Sequence, residues 1–362
     1  MEISVVIMAG GKGERFWPQS LKKYPKQFLP IVDENQSMIE ATIERALQVT
    51  SLDNIFISIR KDLVDTAYEI LPQFPKENFI IEPIGRDTAA AMGLATFFIE
   101  EKRPGSIMII LPSDHLVQPI ESFADDVRNA AQIASDSDCL ITFGIKPTRI
   151  DTGYGHIELG EIIHKRYNTN AYEVKQFTEK PDKKTAELFL QKGNFVWNSG
   201  MFIWKPSIFK QEMERSLPEH YNGLLHIQDF FDDENYIEKA TPIFENFEKI
   251  SVDYGIMEKA SNVLCLKANF QWDDVGSWTA LERINKKDES NNITKGLIAQ
   301  LNTEDSILLN YDNKRLVSTL GVKNLIIINT KNAVLVLDKN SEQDMKKLIK
   351  LLQEDEKFKS FL

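Results

Sequence analysis

The sequence predicts an α/β fold, a mostly parallel mixed sheet flanked by helices, followed by a small β-rich domain at the C-terminal end. Up to about residue 145, short apolar runs alternate with segments of helical period. Strands that are apolar throughout are typical of parallel sheets with both faces covered. From about residue 290 short β-rich runs dominate instead. We therefore expect a first domain at residues 1–288 and a second at 289–362.

The elements of the first part follow each other in a regular order. The predicted strands are Ile3–Met8, Asn54–Ile59, Asn78–Ile81, Ile107–Leu111 and Cys139–Gly144. The predicted helices between them are Met38–Val49, Asp62–Leu71, Thr88–Glu101 and Phe123–Ala134. Right-handed crossovers between parallel strands would place a ligand site at the carboxyl ends of the strands. Residues 150–285 are less regular, and we expect them to form insertions that close over that site.

The C-terminal region carries four β-rich runs, at 306–310, 315–321, 324–330 and 333–338. They recur roughly every nine residues, which indicates a small β-solenoid or a sandwich. A solenoid of about four turns would leave an open edge and end, and a second copy of the chain could cover them in a two-fold dimer. The alternative is that the predicted terminal helix, Ser341–Leu352, seals the strands within a monomer.

Composition excludes several classes of protein. The chain has 362 residues with 43 Lys and Arg against 54 Asp and Glu, a net charge of −11. A net acid does not bind nucleic acid through bulk charge, so a phosphate ligand must meet a local cationic cluster. Cys139 and Cys265 are too few for a disulfide framework or a structural zinc site. Without an apolar run long enough for a membrane span or signal peptide, we expect a cytoplasmic protein that contacts no membrane.

A glycine-rich segment directly follows the first predicted strand. Glycines at this place let the backbone approach a polyphosphate closely. A P-loop would need Ser or Thr after Lys12, where Gly13 stands, and a dinucleotide fingerprint would need a third Gly where Phe16 stands. A dinucleotide-binding oxidoreductase is therefore disfavoured. The local cationic cluster follows at once, in Lys12, Arg15, Lys22, Lys23 and Lys26.

The run GGKGERFWP at 10–18, with YPKQF at 24–28, resembles the signature of the sugar-1-phosphate nucleotidyltransferases, and most closely that of members using guanine nucleotides. The likeness covers nearly the whole chain. In order it includes EP at 82–83, RDTA at 86–89, LPSDH at 111–115, TGYG at 152–155, FTEKP at 177–181, WNSGMF at 197–202, SVDY at 251–254, MEK at 257–259 and WDDVGSW at 272–278. The chain departs from the family at Leu21, Asp87 and Ala90, where many members have Arg, Asn and Pro.

The resemblance implies a Rossmann-like nucleotidyltransferase fold and a transfer between GTP and mannose 1-phosphate that yields GDP-mannose and pyrophosphate, with Mg²⁺ as cofactor. It implies catalytic roles for Arg15, Lys26 and Lys180 and metal ligation by Asp114 and Asp274. It implies sugar contacts from Gly155, Glu179 and Asn198. The nucleotide contacts it implies are Ala9, Gly10, Gly11, Gly13, Glu82, Pro83, Asp87, Thr88, Ala89 and Ser113.

The residues themselves leave some of these roles open. Asp114 ends a buried strand, where it could bind a ligand or cap the next helix. Glu179 and Lys180 are neighbours, so both reach one ligand only if the backbone turns before Pro181, and otherwise they form an exposed pair. The Asp87 carboxylate could accept hydrogen bonds from the N1–H and amino group of guanine, or it could merely cap its helix.

Other functions remain open at this point. A related enzyme could use another sugar or base, such as a heptose-1-phosphate guanylyltransferase or a thymidylyl- or uridylyltransferase. A regulatory subunit could bind nucleotide-sugar without turnover, although retention of Arg15, Lys26, Asp114 and Asp274 argues against it. Larger relatives append an isomerase domain, for which the chain has no room, so we expect no isomerase activity.

Overall fold

The computed structural model describes residues 1–11, 13–166 and 169–362, so Lys12 of the predicted cationic cluster lies outside the described residues. Its first eleven strands are β1 Ile3–Met8, β2 Ile55–Arg60, β3 Phe79–Glu82, β4 Ile107–Pro112, β5 Leu116–Gln118, β6 Leu140–Ile145, β7 His156–Arg166, β8 Thr169–Thr178, β9 Phe195–Trp204, β10 Val263–Lys267 and β11 Gln271–Asp273. The five strands predicted before residue 145 are all present, with ends shifted by at most one residue.

The four helices predicted before residue 145 and the terminal helix are present, and five further helices lie between residues 183 and 284. In chain order the helices are α1 Met38–Leu47, α2 Val64–Ile70, α3 Asp87–Lys102, α4 Ile120–Asp136, α5 Lys183–Lys192, α6 Pro206–Ser216, α7 Pro218–Gln228, α8 Tyr236–Glu245, α9 Leu281–Ile284 and α10 Met345–Glu354. Helix α3 is buried along most of its length, since its first half is built from Ala, Met, Gly and Leu and lets other elements pack closely around it. In the part of the chain that the structure describes, no helix is long and apolar enough to span a bilayer.

Nine of these strands form one sheet in the order β3-β2-β1-β4-β9-β6-β10-β8-β7. Strands β3, β2, β1 and β4 are parallel, and β9 runs antiparallel between β4 and β6. The expected mostly parallel mixed sheet is confirmed, and the antiparallel strands come from the less regular segment after residue 150. The carboxyl ends of β1 to β4 carry four sequence-predicted regions, namely the glycine-rich segment, Glu82-Pro83, the start of α3 and Ser113-Asp114.

Contacts divide the chain into two compact units that do not follow chain order. The first unit comprises residues 1–10, 41–113 and 117–272, and the second comprises 11–40, 114–116 and 273–362. The segment after the first strand therefore belongs to the same unit as the C-terminal strands. The expected sequence boundary between residues 288 and 289 stays a prediction.

The C-terminal strands form a small parallel solenoid. They are β12 Ile293–Lys295, β13 Ile298–Leu301, β14 Ile307–Asn310, β15 Val317–Leu320, β16 Leu325–Asn329 and β17 Val334–Asp338. One ladder runs β12-β14-β16 and a second pairs β13 with β15, all in parallel, while β17 turns back antiparallel on β16. Each turn therefore uses two strands, so the nine-residue spacing marks half a turn. The expectation of about four turns was wrong, because it counted every strand as a turn.

The second unit has its own hydrophobic core. Phe16 and Trp17, directly after the glycine-rich segment, are buried there with Trp278. The rings of Phe16 and Trp278 meet edge to face with centroids 4.8 Å apart, and Trp17 donates from Nε1 to the Phe361 carbonyl at 2.7 Å. The apolar interior of the solenoid completes this core. Burial of Phe16-Trp17 therefore holds the backbone of the neighbouring Arg15 in place.

Candidate active site

Close packing fixes Gly13 in its position. This residue has φ +62°, and a Cβ added to it would lie 2.4 Å from the backbone nitrogen of Lys26. Only glycine fits such a position. The Ser20 hydroxyl donates to the Gly13 carbonyl at 2.7 Å, and the Gln27 amide donates to the Gly11 carbonyl at 3.1 Å. Ser20 and Gln27 are supporting residues that the sequence patterns did not single out.

Lys26 joins the two predicted metal ligands in the second unit. Its ammonium donates to the carbonyl and to Oδ2 of Asp114, at 2.7 and 2.8 Å, and to the Asp274 carbonyl at 2.6 Å. The Lys26 side chain is only 5% exposed. Three predicted residues, separated by up to 248 positions in the chain, are therefore brought together by one buried cation.

Asp114 is held as a carboxylate by its neighbours. Burial would raise the pKa of its carboxyl, but the Lys26 ammonium and the nearby His115 outweigh that effect and hold this pKa below its usual value. His115 Nε2 lies 3.8 Å from Asp114 Oδ1. An ionised carboxylate is the form that binds a hard cation, so the environment suits a metal ligand.

The two neighbouring aspartates of the WDDVG run both lie near Arg283, whose Nη2 is 4.0 Å from Asp274 Oδ1 but makes closer contacts with Asp273. Asp273 accepts two hydrogen bonds from Arg283, at 2.5 and 2.8 Å, and a third from the Val275 backbone N–H at 2.8 Å. Val275 is buried with φ +43°, a conformation that costs energy for a β-branched residue. Asp273 therefore maintains a strained turn. The Asp274 carboxylate folds over that turn, since a Cβ on Gly276 would lie 2.5 Å from Asp274 Oδ2.

Arg15 is exposed and sits beside the same turn, with its Nη1 donating to the Gly276 carbonyl at a long 3.4 Å. A guanidinium held this loosely can turn its planar fork toward phosphate oxygens. Among the described residues, no three His, Cys, Asp or Glu side chains converge as a metal cage. Two carboxylates, Asp114 and Asp274, with further oxygens from phosphates and water, are the donor set that suits a magnesium-like cation.

In the first unit, Glu82 ends strand β3 as a buried carboxyl, 3% exposed. The Ser58 hydroxyl donates to Glu82 Oε1 at 3.3 Å, and a Cβ on Gly10 would lie 3.3 Å from that same oxygen. Burial raises the pKa of Glu82 to about 7, against opposing effects of Ser58 and Arg60. A buried carboxyl therefore lies directly beside Gly10 of the predicted nucleotide loop.

Other predicted nucleotide residues belong to the same unit as Glu82 and Gly10. Ala9 donates to the Ser58 carbonyl at 2.8 Å, Ser113 donates to the Met8 carbonyl at 3.2 Å, and Pro83 is buried. Asp87 has φ +69° and its Oδ1 accepts from the backbone N–H of Thr88 at 2.7 Å. That bond joins adjacent residues, whereas an N-cap side chain accepts from an N–H two or three residues further on, and Arg86 before the helix makes no side-chain capping bond.

The predicted sugar residues lie together in the first unit. Strand β8 ends at Thr178, and Lys180 has φ +46°, so the backbone turns as predicted. This turn brings the Lys180 ammonium to 2.6 Å from Glu179 Oε1. A Cβ on Gly155 would lie 2.6 Å from Glu179 Oε2 and 3.2 Å from the Cβ of Asn198. Gly155 therefore leaves the space in which the Glu179 carboxylate sits.

Asp253 is a further carboxyl of this cluster, to which sequence reasoning assigned no role. Its Oδ1 accepts from Asn198 Nδ2 at 2.9 Å. Burial and the charge of Glu179 raise the pKa of Asp253 to about 7, although Lys180 and Asn198 act in the opposite direction. The SVDY run was the available signal, since it was part of the resemblance.

Comparison with known proteins shows which family the chain resembles. The Nucleotidyl transferase family matches residues 4–291, and the MannoseP isomerase/GMP-like beta-helix domain matches residues 296–352. A mannose-1-phosphate guanylyltransferase of Escherichia coli is 35% identical over 96% of this chain and 75% of its own length. A putative mannose-1-phosphate guanylyltransferase of Vibrio cholerae is 36% identical, over 96% of this chain and 74% of its own. The chain thus spans about three quarters of these curated relatives.

Among solved structures, the crystal structure of a mannose-1-phosphate geranyltransferase from Thermus thermophilus superposes with a TM-score of 0.84. It shares 31% sequence identity, and the match covers 98% of this chain and 100% of that one. Similarity at this level runs through both the sheet and the C-terminal strands. The chain therefore belongs to the nucleotidyl transferase family, within its group of mannose-1-phosphate guanylyltransferases.

Proposed function

We propose that this chain makes GDP-mannose and pyrophosphate from GTP and mannose 1-phosphate. The observation that carries the proposal is the junction in which buried Lys26 holds Asp114 and Asp274 close to Gly13. The names of the relatives described above indicate these substrates. An anion-binding loop, an ammonium and two carboxylates are the groups that a transfer between two phosphates requires.

The reaction asks the protein for positioning and charge rather than for a nucleophile. An oxygen of the sugar phosphate attacks the α-phosphorus of GTP in line, the new P–O bond forms, and the bond to pyrophosphate breaks. The attacking oxygen is already an anion at neutral pH, so no general base is needed. The protein must hold two anions together and stabilise charge on the leaving group.

We assign these tasks to named residues of the second unit. The three donors of the Lys26 ammonium are engaged by oxygens of Asp114 and Asp274, so Lys26 fixes both aspartates while adding its positive charge. Arg15 is exposed, and we assign to it the direct contact with the leaving phosphates. The backbone N–H groups of Gly11 and Gly13 would cradle the phosphates.

The family generally uses a divalent metal, and we propose Mg²⁺ held by Asp114 and Asp274. Such an ion, when bound, neutralises phosphate oxygens and reduces the repulsion between the two substrates. Asp273 already holds the strained turn with Arg283, which supports Asp274 rather than Asp273 as the ligand.

The first unit supplies recognition of the base and the sugar in this proposal. Ala9, Gly10, Ser113 and the Glu82-Pro83 pair would contact the nucleotide, together with Asp87, Thr88 and Ala89 at the start of α3. In its ionised form, the buried Glu82 carboxylate can accept from the N1–H and the amino group that guanine presents together. Gly155, Glu179 and Asn198 would contact the sugar, and Lys180 its phosphate.

We also propose that the chain works as a cytoplasmic homodimer, with a catalytic domain at 1–288 and a C-terminal domain at 289–362. The outward face of β13 and β15 supports the dimer. Leu297, Leu301, Leu316 and Leu320, at the two ends of these strands, are each more than half exposed, and Leu301 pairs with Leu320 in register. A second copy would cover this face with the same face of its own, as two-fold symmetry requires.

A matrix of assays tests the substrates. GTP, ATP, UTP and dTTP are each combined with mannose, glucose and heptose 1-phosphates, and pyrophosphate release is measured with Mg²⁺ present. We expect GTP with mannose 1-phosphate to have the highest kcat/KM. A higher value for another pair would assign a different sugar or base, and no release from any pair would favour a regulatory subunit.

A further inference from the structure

The side-chain amide of Asn198 has a fixed orientation. Its Oδ1 accepts from the Gly200 backbone N–H at 3.3 Å and from the Thr142 hydroxyl at 2.8 Å. Its Nδ2 donates to Asp253 Oδ1 at 2.9 Å. Because a backbone N–H can only donate, the atom facing Gly200 must be the oxygen. An amide has four hydrogen-bonding positions, so one N–H remains for a ligand, and Asp253 determines where it points.

The backbone of Glu179 is held from the same part of the chain. The Tyr254 hydroxyl donates to the Glu179 carbonyl at 3.2 Å, and Glu258 Oε1 accepts from the Glu179 N–H at 2.9 Å. Both polar backbone groups of Glu179 are therefore satisfied by side chains only four residues apart. The Glu179 carboxylate sits beside Gly155 on a backbone that these two bonds keep in place.

Residues 250–258, which we call the 250–258 segment, are themselves well anchored. The Val252 N–H donates to the Thr88 hydroxyl at 2.9 Å, and the Ala89 N–H donates to the Ile250 carbonyl at 3.2 Å. Ile256, in the middle of the segment, is fully buried in the core of the first unit. The segment thus ties the start of helix α3 to the residues around Asn198 and Glu179.

We propose that the 250–258 segment is the positioning element of the sugar-phosphate site. Asp253 orients the Asn198 amide. The hydrogen bonds with Tyr254 and Glu258 fix the position of the Glu179 backbone and so the direction in which its side chain leaves it. The proposal rests on the proposed function, because it takes Asn198 and Glu179 as contacts to the sugar. It adds three positioning residues, none of which has to touch the substrate itself.

The consequence is a selective loss when these bonds are removed. A sugar-contacting side chain that shifts or tilts makes a longer or less aligned, and therefore weaker, hydrogen bond. Nucleotide contacts made by other residues stay intact. One hydrogen bond is worth about a three- to tenfold change in affinity. Loss of Tyr254 or Glu258 should therefore weaken a ligand that carries mannose and leave GTP unaffected.

Isothermal titration calorimetry of the full chain with GDP-mannose and, separately, with GTP tests this. Tyr254→Phe and Glu258→Ala should each raise the Kd for GDP-mannose about three- to tenfold, with the Kd for GTP within about twofold of wild type. Glu258→Gln should bind like wild type, because its amide oxygen can accept the same Glu179 N–H. Tyr68→Phe, which removes a hydroxyl from helix α2, is the matched control and should change neither ligand.

Three results would overturn the proposal: unchanged GDP-mannose affinity in both variants, equal weakening of GTP and GDP-mannose, or a Glu258→Gln variant as weak as the alanine variant. Turnover is measured separately on the same proteins. Wild-type protein that binds GDP-mannose without releasing pyrophosphate in the forward assay would contradict the proposed function and leave the positioning role to be decided by the Kd values. Wild-type protein that binds no GDP-mannose would contradict both.

Discussion

In the second unit the Asp114 carboxylate pairs with the Lys26 ammonium at 2.8 Å, whereas in the first unit Glu82 receives a serine hydroxyl and Asp253 an asparagine amide. The pKa of Asp114 is correspondingly lowered despite burial, mainly by Lys26, while burial raises the pKa of Glu82 and of Asp253 to about 7. Asp114 is thus kept ionised, whereas Glu82 and Asp253 are partly protonated at neutral pH. An ionised carboxylate suits a metal ion, whereas a carboxyl that is partly protonated at neutral pH can both accept and donate hydrogen bonds.

The largest expected effect lies in the unit with the ionised carboxylate. Asp114→Ala or Asp274→Ala should lower kcat by at least about a hundredfold, since each removes a principal charge-stabilising contact. Steady-state pyrophosphate release over a range of Mg²⁺ concentrations measures it, and a chelator should abolish wild-type turnover. Asp344→Ala, an exposed aspartate of the same unit, makes the same charge change and should be silent. Near-normal turnover of either variant at low millimolar Mg²⁺ would remove that residue from the metal site.

A smaller effect is expected at Arg15, whose guanidinium is exposed beside the Gly276 carbonyl. Arg15→Ala should lower kcat about tenfold or more while changing the Kd for GTP much less, because the charge it stabilises develops on the departing pyrophosphate. Arg15→Lys keeps the positive charge but lacks the planar guanidinium, so its kcat should lie between those of wild type and Arg15→Ala. If GTP affinity falls as far as kcat, Arg15 is a docking residue only.

The raised pKa of Glu82 in the first unit leads to a prediction about the pH dependence of stability. In the unfolded chain Glu82 releases its proton near pH 4.5, whereas in the folded protein it keeps the proton up to about pH 7. The folded state binds more protons in that interval, so this group's contribution to stability is present below pH 4.5 and is lost as the pH rises toward 7. Glu82→Gln should flatten the fall of Tm between pH 5 and 7, a change worth ~1–3 kcal/mol.

Differential scanning fluorimetry at half-unit pH steps measures this change. Glu77→Gln, at an exposed glutamate, is the matched control and should run parallel to wild type. Parallel curves for wild type and the Glu82→Gln variant would mean that Glu82 ionises normally, and the contrast between the two units would then rest on Asp253 alone.

The sequence predicted the local secondary structure, and the resemblance to a family predicted which residues belong to the site. The strands before residue 145 followed from apolar runs, and the turn at Lys180 followed from Pro181 and the alternation of strand side chains. The partners of these residues could not be predicted, because they come from distant positions in the chain. Lys26 meets Asp274 across 248 residues, and Glu179 meets Glu258 across 79. The solenoid shows a different limit, since spacing alone does not distinguish a half-turn from a turn.

The smallest effect on turnover is expected at the outward face of the solenoid, where the two units differ in another respect. The first unit buries its sheet under helices, while strands β13 and β15 leave Leu301 63% and Leu320 69% exposed. A double substitution, Leu301→Glu with Leu320→Glu, places like charges opposite each other in register and cannot be covered by the same face of a second copy. The proposed dimer should therefore separate into 41.5 kDa monomers in light scattering at micromolar concentration. Turnover should stay within about twofold of wild type, since no residue assigned to the chemistry lies on these strands.

Leu47→Glu, an equally drastic change at an exposed leucine of helix α1, is the control and should leave the mass unchanged. A wild-type mass of 41.5 kDa would end the dimer proposal, and a variant that still dimerises would move the interface away from this face.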